Sequence, residues 1–237
     1  FVAVPVNGLL DPAYVASRAK LIGERAGDPP TAGEPPQPAA GARFGEDATR
    51  EVAGTSHFVV VDGEGDVVSM TTSVESLFGS GRAVGGFFLN NQLTDFSFVA
   101  VENGRPVANA VAPGKRPRSS MSPVVVLDQD GRLIAALGSP GGSAILGYNA
   151  KTLVGLLAWK LPLQEAVELP NLIARGKDFF GEAAKFPPDV LEGLKARGVE
   201  VKPGRGEESG LHGVVLHADG RLEGAADPRR EGVWQQP

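Results

Sequence analysis

The 237-residue chain contains no cysteine. That excludes thiol catalysis, disulfide staples and thiolate-ligated metals. Histidine is scarce as well. His57, His212 and His217 are the only three, and the last two are spaced so that a hairpin would place them on opposite faces. No metal site is therefore expected; no cofactor is expected either. No apolar run reaches the length of a membrane-spanning helix. Lys and Arg are scattered in a chain of net charge −5, so there is no footprint for nucleic acid or an anionic membrane. The one basic cluster, Lys115-Arg116-Pro117-Arg118, is short and broken by proline, and reads as a solvated turn. The chain opens at Phe1-Val2-Ala3-Val4 without Met, as the interior of a longer chain would, and no signal peptide is expected in it.

What is present fits a globular fold. Apolar residues make up 42% and charged residues 22%, enough for one large domain with a substantial core or two small ones. Asp11 to Ala26 reads as a helix, with Asp11 as N-cap and Pro12 at the first helical position. Gly27 to Glu51 holds Pro29, Pro30, Pro35, Pro36 and Pro38, which rules out helix or central strand and predicts an exposed, semi-extended loop. Three β-hairpins follow, at His57–Met70, Val124–Leu137 and Gly213–Ala225, each with two apolar runs joined by an Asp/Gly-type turn. Helices are predicted over Ala144–Lys160, Leu163–Leu169 and Pro188–Arg197, the last closed by Gly198. The class is α+β, with helices packed on antiparallel sheet.

Candidate chemistry concentrates in a few segments. Thr55 heads an apolar strand right after the loop. If the Gly54–Thr55 bond is cut, the freed α-amine becomes a base for the residue's own hydroxyl. Gly138-Ser139-Pro140-Gly141-Gly142-Ser143 joins a strand to a helix. Its glycines let backbone N–H groups converge on a phosphate or an oxyanion, although a plain glycine-rich turn fits equally well. Leu89-Asn90-Asn91-Gln92-Leu93-Thr94-Asp95-Phe96 is a polar stretch between aromatics, a ligand wall or a self-bonded turn. Arg118-Ser119-Ser120-Met121-Ser122-Pro123 offers adjacent hydroxyls before a strand, for a carboxylate or for the backbone. Phe78-Gly79-Ser80-Gly81-Arg82 lacks the third glycine of a dinucleotide loop and reads as a turn.

In order along the chain, Thr55, the strand Thr71-Thr72-Ser73, FGSG, LNNQLTDFS, KRPRSSMSP, GSPGGS and Asp227-Pro228-Arg229 together resemble the γ-glutamyltransferases. These are self-processing N-terminal-nucleophile hydrolases. The likeness runs from about Thr55 to Gly232, and SSMSP followed by GSPGG is its most specific part. It implies an αββα four-layer sandwich of antiparallel sheets. Residues 1–54 would be the C-terminal end of a large subunit with a Pro-rich linker, and 55–237 the catalytic small subunit, the two subunits pairing as a heterodimer.

By the same resemblance, a zymogen cuts itself between Gly54 and Thr55. Thr55 then cleaves γ-glutamyl amides such as glutathione and passes the acyl group to water, an amino acid or a peptide. Gly141 and Gly142 would form the oxyanion hole, and Ser73 would support the nucleophile in place of a second Thr. Gln92 and Asp95 would hold the substrate α-ammonium, and Ser119 and Ser120 its α-carboxylate. Glu75 stands where many members have Asn, which opens the alternative of an acylase for glutaryl-type, cephalosporin-like amides. An unprocessed, non-catalytic homologue is the third reading. The resemblance further implies a periplasmic or secreted location.

Overall fold

The computed structural model describes residues 2–36, 44–49, 54–204 and 208–236. It divides into two compact units. One comprises 1–49, 96–118 and 174–203, and the other 50–95, 119–173 and 204–237.

The second unit carries the expected hairpins. Strands β1 (Thr55–Val61) and β2 (Val67–Ser73) pair antiparallel, with Thr55 opposite Ser73 and His57 opposite Thr71. The Asp62 carboxylate closes the turn between them by accepting from the N–H groups of Glu64 and Asp66. Strands β3 (Val124–Leu127), β4 (Leu133–Gly138), β5 (His212–Leu216) and β6 (Leu222–Ala226) form a four-stranded antiparallel sheet in the order β6-β5-β4-β3. Helices α1 (Ile145–Leu153) and α2 (Leu163–Glu168) cover one face of it. Their inward residues Tyr148, Leu163 and Val167 pack with Ala135, Leu211, Val215 and Ala225 in the core. Leu163, Ala166 and Val167, at the i, i+3, i+4 spacing of a helical stripe, are all buried.

The opposite face of β4 meets β1 and β2, and there its side chains are small. Ala136 and Gly138 alternate outward from the helix-facing Ala135 and Leu137. Layers therefore run helices, four-stranded sheet, β1–β2 pair. The outer face of that pair is apolar and uncovered. The cross-strand partners Phe58 and Met70 are 42% and 44% exposed, and Val60 and Val68 are 53% and 51% exposed.

The predicted helix Ala144–Lys160 is three elements. A 3₁₀ turn (Gly142–Ala144) leads into α1, whose end widens into a π turn over Val154–Ala158. Lys160 at φ +57° then closes it ahead of Pro162. The widened turn lies where Gly155 rides against Ala166 of α2.

In the first unit, the helix at Pro12–Ala19 starts as expected, with Asp11 Oδ1 accepting from Tyr14 N–H at 2.8 Å, but ends at Ala19 rather than Ala26. Residues 27–36 and 44–49 carry no helix or strand beyond a single bridge from Gly45 to Val107. The remainder of the predicted loop lies outside the described residues. Helix Pro188–Ala196 closes through Gly198 at φ +84°, and Asp178–Gly181 pairs in parallel with Val201–Pro203. The basic cluster is not a solvated turn. Lys115 Nζ donates to the carbonyls of Ala108 and Ala110, both at 2.7 Å, and Arg118 Nε pairs with Asp47 at 2.9 Å. Burial acts to raise the Asp47 carboxyl, but the Thr49 and Asn109 bonds and the Arg118 charge hold it below its ordinary range.

Candidate active site

Strand alternation turns Thr55, His57 and Val59 inward and Ser56, Phe58 and Val60 outward. Thr55 is buried at the head of β1, directly across from Ser73 at the end of β2. Its Oγ1 donates to Ser73 Oγ at 3.1 Å. The Ser73 hydroxyl donates in turn to the Gly54 carbonyl at 3.2 Å and accepts from Glu75 N–H at 2.9 Å. One hydroxyl thus contacts the Thr55 side-chain oxygen and polarises the carbonyl of the peptide bond before it. Glycine is required at 54, because a Cβ there would lie 1.8 Å from the Glu75 carbonyl oxygen. Glu75 itself is buried and sits at φ +73°, a left-handed conformation that Asn and Gly adopt far more readily than Glu.

The polar stretch is stitched onto this corner. Asn91 Oδ1 accepts from Ser76 N–H at 2.9 Å, its Nδ2 reaches Ser76 Oγ at 3.0 Å, and Asn91 N–H donates to the Val74 carbonyl at 3.2 Å. The one-turn helix Gln92–Asp95 follows, with Asp95 buried and Gln92 half-buried. Gln92 and Asp95 are thereby fixed to the segment that carries Ser73 and Glu75.

The glycine-rich turn lies at the end of β4. Gly141 at φ +132° and Gly142 at φ +54° are both buried, and a Cβ on Gly141 would lie 2.6 Å from the Tyr148 ring. The fully buried Ser139 donates to the Pro140 carbonyl at 2.7 Å and accepts from Gly210 N–H at 3.2 Å. Ser119 is exposed and its hydroxyl accepts from Met121 N–H at 3.1 Å, while Ser120 is half-buried. Their segment is anchored to α1, where Asn149 Nδ2 donates to the Ser122 carbonyl at 2.8 Å and to its hydroxyl at 3.1 Å.

Two residues that carry no role on sequence reasoning join these parts. His57, on the same strand face as Thr55, lays its ring over Gly138, the residue before Ser139. Its Nδ1 meets Thr71 Oγ1 at 2.8 Å, and its Nε2 lies 3.5 Å from Ser69 Oγ. Ser69 spends its proton on the Leu137 carbonyl, which suits an Nε2–H tautomer with Nδ1 accepting from Thr71. Burial, and secondarily the nearby His212, push the imidazole pKa from 6.5 down to about 4, so the ring is neutral. The signal was the period-two step from Thr55 to His57. Arg230 is the second residue, donating from one guanidinium nitrogen to the Thr55 carbonyl at 3.2 Å and from the other to the Glu208 carbonyl at 3.1 Å.

Arg230 follows a buried network. Asp227 is fully buried and accepts from Ser209 Oγ at 2.5 Å, Leu211 N–H at 3.2 Å and Arg229 Nη1 at 3.0 Å. Arg229 also donates to the Val167, Glu168 and Leu169 carbonyls at the end of α2. Burial alone would raise the Asp227 carboxyl, but the Ser209 hydroxyl and the Arg229 N–H and guanidinium hold it below its ordinary value.

Stacked antiparallel sheets flanked by helices define an α+β protein, with a threonine–serine hydroxyl pair at one strand head. More narrowly, the chain belongs to the gamma-glutamyltranspeptidase family, whose model matches residues 1–236. It is 35% identical over 241 residues to the glutathione hydrolase proenzyme of Bacillus subtilis (strain 168), covering 98% of this chain and 40% of that one. It is likewise 35% identical over 235 residues to the acylase ACY 1 proenzyme of Pseudomonas sp. (strain SE83), covering 98% and 38%. Among solved structures it is similar to the gamma-glutamyltranspeptidase from Pseudomonas nitroreducens complexed with L-DON. That match has a TM-score of 0.65 and 34% identity, and covers 76% of this chain and 98% of that one. The chain spans about 40% of the length of the glutathione hydrolase and acylase proenzymes it matches.

Proposed function

We propose that residues 55–237 are the catalytic small subunit of a self-processing γ-glutamyl hydrolase/transpeptidase, and that 1–54 end its large subunit. The observation that carries this reading is the Thr55–Ser73–Gly54 hydrogen-bond chain at 3.1 and 3.2 Å. In self-cleavage Thr55 Oγ1 attacks the Gly54 carbonyl carbon. The peptide C–N bond breaks, an ester forms to Oγ1, and the nitrogen takes the proton. Water hydrolyses the ester, leaving a Gly54 carboxylate and a free Thr55 amine. That amine titrates near ~8, so it accepts the hydroxyl proton when Oγ1 attacks a γ-glutamyl amide. The proton then leaves with the departing amine, and water or an amino acid amine releases the acyl group from Oγ1.

In this reading the Gly141 and Gly142 N–H groups receive the oxyanion, Gln92 and Asp95 the donor's ammonium, and Ser119 and Ser120 its carboxylate. The large subunit covers the apolar face of Phe58, Val60, Val68 and Met70, completing an αββα sandwich in a heterodimer outside the cytoplasm. A second reading, an acylase for glutaryl-type amides, is favoured by the equal identity to the acylase ACY 1 proenzyme. A Glu75 carboxylate would attract the ammonium of a glutamyl donor and repel the carboxylate that both donors carry, so a substrate panel decides between the two readings.

The test is intact-mass and N-terminal analysis of the full-length precursor beside Thr55→Ala, then turnover of γ-glutamyl and glutaryl anilides. A new terminus at Thr55, absent from the variant, is expected. A precursor that stays whole would overturn the enzyme reading, and faster glutaryl turnover would replace it with the acylase reading.

A further inference from the structure

We infer that Arg230 is a positioning residue for the Thr55 nucleophile, tying the head of β1 to the Ser139–Gly142 turn; this rests on the reading of Thr55 as nucleophile. Its two donors bridge the Thr55 carbonyl at 3.2 Å and the Glu208 carbonyl at 3.1 Å. Its stem lies against Gly210, where a Cβ would come within 2.7 Å of Arg230 Cδ and 2.8 Å of Pro140 Cγ. Gly210 is itself bonded to Ser139. A continuous path therefore runs from the Thr55 main chain through the guanidinium and Gly210 to the residues just before Gly141.

Arg230 is held from behind. Its own N–H donates to the Asp227 carbonyl at 3.2 Å, and Asp227 is fully buried and fixed by Ser209 and Arg229. The planar guanidinium suits the task because its donors sit in a rigid fork, so the two carbonyls are held in one geometry with less ordering of the side chain than a flexible ammonium stem needs. The bond is to the Thr55 carbonyl rather than to the Gly54–Thr55 amide nitrogen. It is therefore available both before the chain is cut and afterwards, when strand pairing alone would have to hold the new terminus.

The test follows full-length wild type, R230A and R230K through self-cleavage by intact mass. Turnover of γ-glutamyl-p-nitroanilide is then measured, normalised to the amount of chain beginning at Thr55. In R230A both the cleavage rate and kcat per Thr55 terminus should fall roughly 10- to 100-fold, with KM little changed, as expected for a misplaced nucleophile. R230K should recover part of the loss. Wild-type rates in R230A overturn the proposal. So does a loss confined to the amount of folded protein with kcat per Thr55 terminus unchanged, which would make Arg230 purely structural. A wild-type chain that neither cuts nor turns over overturns the enzyme reading, and the role of Arg230 with it.

Discussion

Replacing His57 with Asn should remove a specific pH dependence of stability. The imidazole is buried between Thr71, Ser69 and the Cα of Gly138, and its pKa falls from 6.5 to about 4 through burial and then His212. A depressed folded-state value means the unfolded chain takes the proton more readily. The ring's neutral form therefore contributes stability above the unfolded pKa near 6.5, and the contribution is lost as pH falls toward 4. Linkage puts the loss at about 2 kcal/mol by pH 5 and about 3 kcal/mol at full protonation. Asn at 57 can still meet Thr71 but does not titrate. It gives up the ring's packing, so the variant should be weaker at every pH but with a flatter profile. The assay is urea unfolding at pH 7.5, 6.5, 5.5 and 5.0, with both proteins in the full-length Thr55→Ala background to keep the chain whole. Tryptophan fluorescence is a suitable probe because Trp234 packs over Gly224 of β6. The stability gap between wild type and H57N should narrow by about 2 kcal/mol from pH 7.5 to 5.0. A gap constant within about 0.5 kcal/mol would refute a buried neutral imidazole at this position.

Ser73→Ala removes the donor to the Gly54 carbonyl, and self-cleavage should slow by roughly 100-fold or more, by analogy with loss of one oxyanion donor. Ser73→Thr should cut at near the wild-type rate. The appearance rate of the Thr55 terminus checks both, and an unimpaired S73A variant would mean the hydroxyl is a bystander. Asp227→Asn leaves Arg229 buried beside a neutral partner and should cost about 3–5 kcal/mol. Urea midpoints measure this, and a cost under about 1 kcal/mol would show that the Arg229 bonds to the end of α2 suffice alone.

The three hairpins were legible because their determinants are local. Asp62 bonds the N–H groups of its own turn, as Asp128 does with Asp130 and Arg132, and Asp11 caps its helix from one residue away. What escaped depends on distance in sequence. The His57 ring belongs over Gly138 only once the β1–β2 pair stacks on the four-stranded sheet, and neither segment announces the other. Arg230 meets Thr55 across 175 residues, and the DPRR segment shows no periodicity to suggest that contact. Lys115 and Arg118 escape a reading from sequence because a short basic run is usually solvated, whereas here backbone carbonyls and Asp47 take up the charge. The π turn at Val154–Ala158 keeps a helical apolar pattern, so periodicity could not separate it from α1.

The hydroxyl geometry separates the two reactions proposed for one site. In the uncut chain the Thr55 nitrogen is an amide and cannot act as a base. Self-cleavage must then rely on what is already aligned: Ser73 polarising the Gly54 carbonyl, and Thr55 Oγ1 held 3.1 Å from Ser73 Oγ. In the proposed reaction the departure of Gly54 would remove that acceptor for the Ser73 proton and give the freed amine the role of base. In the proposed mature site the same serine would keep its bond to the Thr55 hydroxyl and give up its bond to the Gly54 carbonyl. Self-cleavage, lacking a strong base, should accordingly be much slower than turnover of the mature site. Loss of Ser73 should weigh more heavily on maturation than on catalysis, because only maturation depends on its bond to Gly54.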